Sequence, residues 1–246
     1  MAGKRALIIV ATLVALNGAC GNAPPSGPMT PPSEVTSTAA PPGPTATLTV
    51  APAIEVSGIN YYEDPVGSLR FLLEVRNLND FALEDVTATV CLSEAEGRIM
   101  DCQSGYAKLD LVNATDTAPI LVVFFLNAPD FSDYEVKIEG RRADYLAGLL
   151  HQHLQVVEDA GRVGEWVPYE VLGRVNNTGT KSAESVNLVV TCYGIDGKVV
   201  AVATGRPTET TVSPGGSSDF LVSIGAVADE IASCRVQAEG LVSGDG

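Results

Sequence analysis

The sequence predicts an all-β protein made of two tandem antiparallel β-sandwiches, placed after a signal peptide and a disordered Pro/Thr-rich stalk. Three observations predict it. Apolar residues alternate with polar ones in short runs, as in strands with one buried face. Turn-forming residues separate those runs. The second half of the chain repeats the first at a constant offset of 100 residues.

The N-terminus reads as an export signal. Lys4 and Arg5 precede an apolar or small run over residues 6–16, and small residues follow. About 20 apolar residues are needed to cross a bilayer, so this run is too short to span one. Gly18 and Ala19 then lead into Cys20. In this the chain resembles bacterial lipoprotein precursors, whose lipobox places small residues before a cysteine that is lipidated and becomes the mature N-terminus. The resemblance implies a signal peptide over residues 1–19 and lipidation of Cys20, although Asn17 stands where that pattern usually has Leu. Ordinary cleavage after Ala23, giving a secreted protein, is the alternative. A diacylglyceryl group adds about 0.8 kcal/mol per buried methylene, enough for stable anchoring.

Residues 20–53 form the stalk. Nine of the fifteen prolines lie there, with Thr, Ser, Ala and Gly and a single charged side chain, Glu34. Such a segment cannot bury a core. At ~3.1 Å per residue it can hold a domain up to about 100 Å from its anchor.

The repeat begins at Ile54. "LRFLLEVRN" at Leu69–Asn77 lies over "YEVLGRVNN" at Tyr169–Asn177, Gly97 lies over Gly197, and "YEVKIEG" lies over "CRVQAEG" near the ends. This gives a first module at 54–142, a linker at 143–153 and a second module at 154–242. In the first module Leu69, Phe71, Leu73 and Val75 are expected inside, with Arg70, Glu74 and Arg76 outside. In the second, Val186, Leu188, Val190 and Cys192 are expected inside, with Asn187 and Thr191 outside. About seven short strands per module, with little helical periodicity, point to an immunoglobulin-like sandwich. The exception is "RRADYLAGLLHQH" at 141–153, which suits a short helix or a plain connection.

The second module resembles the FxLYD family of extracytoplasmic domains. Gly173, Val175, Asn177, Tyr193, Asp196, Gly197 and Lys198 match that family's strand and D-G-K-V hairpin, while Val190, Cys192 and Gly194 replace the residues of the eponymous motif. The resemblance covers roughly residues 167–224 and implies an immunoglobulin-like fold, with no general chemistry.

Four further cysteines, Cys91, Cys102, Cys192 and Cys234, suit two disulfides in an exported chain. If Glu96-Gly97 is a two-residue hairpin turn, Cys91 directly faces Cys102, on the outer surface. Cys192 shares the inward row and Cys234 alternates with Val236 and Ala238, which makes that pair a core staple. In the first module their counterparts are Leu92 and Tyr134, so packing closes the core there.

Candidate chemistry is sparse. The net charge of −15 disfavours nucleic acid and anionic lipid surfaces as ligands. His151 and His153 are the only histidines, and on a strand they would share a face and could reach one metal. Asp110, Asn113 and Asp116 lack EF-hand spacing and read as a solvated loop. The 215–219 segment, "GGSSD", reads as a turn rather than a nucleophile elbow. Trp166, the lone tryptophan, either packs over the end of the sandwich or marks a contact surface. The expectation is a non-enzymatic protein without cofactor, held at the cell membrane by lipid on the extracytoplasmic face. It would display its modules to an unknown protein or cell-envelope component. A small-ligand or divalent-metal receptor at the module junction is the alternative.

Overall fold

A computed structural model describes residues 52–125 and 128–243, so the signal peptide, Cys20 and nearly all of the stalk lie outside the described residues. The chain is nearly all strand. In the first half these are β1 (Ile54–Glu63), β2 (Leu69–Asn77), β3 (Leu83–Ser93), β4 (Ile99–Tyr106), β5 (Leu111–Val112), β6 (Thr117–Phe124) and β7 (Asp133–Arg142). A four-residue helix α1 (Leu146–Leu149) follows. The second half holds β8 (Leu154–Arg162), β9 (Tyr169–Asn177), β10 (Ala183–Tyr193), β11 (Val199–Gly205), β12 (Ser217–Ile224) and β13 (Ser233–Val242).

Each half is a two-layer antiparallel sandwich. In the first, sheet β1-β2-β6 packs on a sheet in which β3 pairs with β7 on one edge and with β4, then β5, on the other. In the second, β8-β9-β12 packs on β11-β10-β13. The offset of 100 holds to single hydrogen-bonded pairs. Leu83 pairs with Val112 as Ala183 bridges Val212, and Ala107 bridges Ile120 as Pro207 bridges Phe220. Even the irregularities repeat: β3 and β10 carry a bulge at the same place, with Asp85 and Ser185 at φ near 53° and 52°. A left-handed conformation at a non-glycine residue costs energy, and at both positions the bulge requires it.

The expected inward rows are buried. Phe71, Leu73 and Val75 meet Val86, Ala88, Val90 and Leu92 across the first core, where the Phe71 ring lies 5.1 Å from both Tyr61 and Tyr134. Leu188, Val190 and Cys192 meet Val171, Phe220, Val222 and Ile224 in the second. Gly105 and Gly205 stand where the chain crosses from one sheet to the other. A Cβ on Gly105 would lie 2.2 Å from the Leu121 carbonyl oxygen, and one on Gly205 would lie 2.6 Å from Val222.

The expected outer faces are corrected by the structure. Thr191, expected outside, is fully buried, as are Val189 and Leu72 on the same sides of their strands. The cause is that the two sandwiches pack on each other within one compact unit, sheet β1-β2-β6 against sheet β11-β10-β13. Val189 belongs to the first module's core cluster, and the Asn60 amide donates to the Val199 carbonyl at 3.0 Å. Glu74, on the outer face of β2, accepts from the Tyr193 hydroxyl at 2.5 Å and from Arg235 at 2.9 Å. Arg235 also donates to Thr117 Oγ1, and the Gln237 amide donates to the Thr117 carbonyl at 3.0 Å. Burial, then the bond to Glu74, pushes the Tyr193 hydroxyl well above its usual pKa.

Candidate functional site

Both disulfides form within a single sheet. Cys91 faces Cys102 across β3 and β4 with Cα atoms 4.1 Å apart, and Cys102 is exposed. Cys192 faces Cys234 across β10 and β13 at 4.0 Å, with Cys192 fully buried in the second core. The first pairing is as expected, but the turn behind it is not. Gly97 donates to Glu94 and Glu94 to Arg98, so the loop is one residue longer than Glu96-Gly97 alone. A bulge between Leu92 and Ser93 then restores the register that places Cys91 opposite Cys102.

The histidines do not form a shared metal face. They precede β8 and lie off any strand, so the two-residue periodicity does not apply to them. His151 is buried and both of its ring nitrogens are engaged by backbone: Nδ1 accepts from the His153 N–H at 3.2 Å, and Nε2 donates to the Lys181 carbonyl at 3.0 Å. His153 is exposed, and the rings meet edge-on with centroids 6.0 Å apart. The described residues contain no group of three His, Cys, Asp or Glu placed to hold a metal. The histidine pair thus fastens the linker to the second module. His151 N–H also donates to the Gly240 carbonyl at 2.7 Å.

What the histidine segment does border is a cleft between the sandwiches, of about 340 Å³. Leu109, Leu111, Asn113 and Asp116 line it from the first module. Leu150, His151 and Gln152 line it from the linker, and Leu154, Gln155, Val156 and residues 236–239 from the second module. Glu239 is buried at its edge and accepts from the Asp110 N–H at 2.9 Å, with Leu111 N–H and the Asn187 amide also donating. Burial, followed by the Asp110 carboxylate, nevertheless pushes its pKa up to about 7. Asp116, read from sequence as part of a solvated loop, belongs to this cleft. Glu239 gave no signal in the sequence, because its role depends on the packing of two modules.

Glu84, Ser218 and Asp219 are engaged within the fold. Glu84 is fully buried, forms an ion pair with Arg141, and accepts from Leu146 N–H at 3.2 Å at the start of α1. Ser218 Oγ accepts from Glu209 N–H, and Asp219 pairs with Arg174 at 2.8 Å.

A second feature lies at the ends of the sandwiches. Trp166 is 89% exposed in the β8–β9 turn, beside Val163 at 81%, and Ile195 is 97% exposed in the β10–β11 turn. Antiparallel order places both turns at one end of the second sandwich. Val66 and Phe125 are exposed at the corresponding end of the first. Tyr62 and Arg70 of that end share a groove with Gly225 and Ala226 of the other, so the two turn ends lie side by side. β1 starts opposite Asn77, at the far end, so the chain enters the first sandwich away from these residues.

No protein-family profile matches the chain, and no curated protein matches it. Among solved structures it is similar to a red sea bream transglutaminase, at 10% identity and a TM-score of 0.24, with 80% of this chain aligned to 32% of that one. The chain thus spans about a third of that protein's length. A likeness of this size says nothing of this chain's chemistry.

Proposed function

We propose that this chain is a lipid-anchored, non-catalytic protein of the extracytoplasmic face. Its paired immunoglobulin-like sandwiches, the second of FxLYD type, stand on a Pro/Thr-rich stalk and bind a protein or other envelope component through their turn ends. The observation that carries the reading is Trp166, almost wholly exposed together with Val163 and Ile195 at the end away from the start of β1. Exposed tryptophan with apolar neighbours is what a binding surface presents before its partner arrives, since aromatic anchors supply much of an interface's free energy. Lipid on Cys20 and the stalk's reach support a role in display.

The test pairs capture with substitution. The stalkless unit and its Trp166→Ala and Ile195→Asp variants are exposed to envelope extract, and the captured components compared. A component retained by the parent and lost by both folded variants supports the reading. Identical capture by all three removes the turn end from it. The mass of the mature N-terminus from native membranes tests the anchor: a chain beginning at Pro24 would refute lipidation.

The cleft favours a second reading, a small-ligand receptor at the module junction. Its volume suits a small molecule, and it mixes apolar with polar walls.

A further inference from the structure

We propose that the junction cleft binds a small organic ammonium ion, its charged head toward Asp116 and Glu239 and its apolar body along Leu109, Leu111 and Leu154. This rests on the small-ligand reading of the junction and names the ligand's chemistry.

The wall composition sets the charge. The ionisable residues lining the cleft are Asp116, Glu239 and His151, with no Lys or Arg among them. Both ring nitrogens of His151 are already engaged by backbone. Asp116, joined by Glu239 once that group ionises near pH 7, gives the cleft a negative potential that attracts cations and repels anions. A transition-metal ion fits poorly, because the described residues offer no set of three His, Cys, Asp or Glu placed to hold one. Half of the wall is apolar, with Leu109, Leu111 and Leu150 themselves buried, so a ligand that only supplied charge would leave that half uncovered. An ammonium on a compact hydrocarbon satisfies both halves.

Glu239 gives the site a second property. It faces Asp110 and the Leu111 N–H from the first module and the Asn187 amide from β10, and it lines the cleft together with Asp116 and His151. Burial, then the Asp110 carboxylate, raises its pKa to about 7. A bound ammonium would favour the ionised form, so binding near pH 6 should release a proton that binding at pH 8.5 does not.

The experiment is calorimetric titration of the full chain with phenethylammonium, the neutral isostere phenylethanol and the anionic isostere phenylacetate. It is run at pH 6 in two buffers of different ionisation enthalpy and repeated at pH 8.5. The expected result is affinity for the ammonium at least about tenfold above the alcohol, with no binding of the acid. Asp116→Asn, which keeps an acceptor for the Thr117 N–H, should weaken it by about tenfold. Glu239→Gln should abolish the proton release. Equal affinity for ammonium and alcohol would overturn the ammonium assignment and leave a junction receptor standing. No binding of any probe would remove both. Ammonium binding unchanged in Asp116→Asn and Glu239→Gln would place the ligand elsewhere and overturn the proposal; if Glu239→Gln fails to fold, Asp116→Asn alone decides.

Discussion

Asn77 and Asn177 occupy equivalent positions at the ends of β2 and β9, and both are buried amides whose partners are all backbone or near it. The Asn177 amide nitrogen donates to the Lys181 and Val212 carbonyls at 2.8 Å, while its oxygen accepts from Gly179 N–H at 2.9 Å. Asn77 does the same toward Phe81, Val112 and Asn113, with its oxygen taken by Asn79. Each side chain ties the loop after its strand to the segment that continues the opposite sheet. No other residue offers two donors and an acceptor at that reach: Asp lacks the donors and Ser the length. Asn177→Ala would leave the Val212 carbonyl buried without this donor. We expect it to cost about 2–3 kcal/mol of unfolding free energy, read as a lowered urea midpoint at unchanged slope. A loss below about 0.5 kcal/mol would show that water replaces the amide. The repeat made this asparagine visible in the sequence; its bonds were not, because they join segments 35 residues apart.

At the scale of elements, the two disulfides differ in what they constrain. The Cys192–Cys234 link closes 42 residues and Cys91–Cys102 closes 11. On the chain-entropy account these stabilise by about 4 and about 3 kcal/mol. Cys192→Ala/Cys234→Ala also removes buried sulfur from the second core, whereas Cys91→Ala/Cys102→Ala acts at the surface. We therefore expect the first double variant to be the less stable in guanidinium titration by at least about 1 kcal/mol. Strand assignment, inward rows and cysteine partners were legible because alternation and parity are local. The loop between β3 and β4 is legible only in part: it is one residue longer than a two-residue turn, and a bulge restores the register before Cys91. The crossing glycines are a further local device. Gly105→Ala would drive a methyl onto the Leu121 carbonyl, and we expect a loss of about 1–3 kcal/mol against little effect at Gly97, whose position is open apart from its φ of 81°.

At the scale of the molecule, the structure departs from the alternation wherever a strand is covered on both sides. Alternation in "RFLLEV" and "SVNLVV" alone cannot separate a solvent face from a face that meets a second sandwich, and parity puts Thr191 outside. The signal lay in the unbroken apolar runs "LVV" of β10 and "VVAVA" of β11, which exceed what a one-sided strand requires. The packing makes the two sandwiches a linked system, and Glu239 is where that linkage meets pH. Its folded pKa of about 7 stands above the ordinary 4.5, so the folded state holds a proton that the unfolded chain has released. The contribution is therefore fully present below pH 4.5 and is lost as pH rises through 7. The separation corresponds to roughly 3 kcal/mol at most. Glu239→Gln keeps an acceptor for the Asp110 N–H and cannot ionise, so its stability relative to the parent should rise across pH 4.5–7 and then level off. Urea titrations of both proteins at half-unit pH steps give that difference directly. Parallel curves would mean that the Asp110, Leu111 and Asn187 donors hold Glu239 ionised in spite of its burial, and that the junction does not respond to protons.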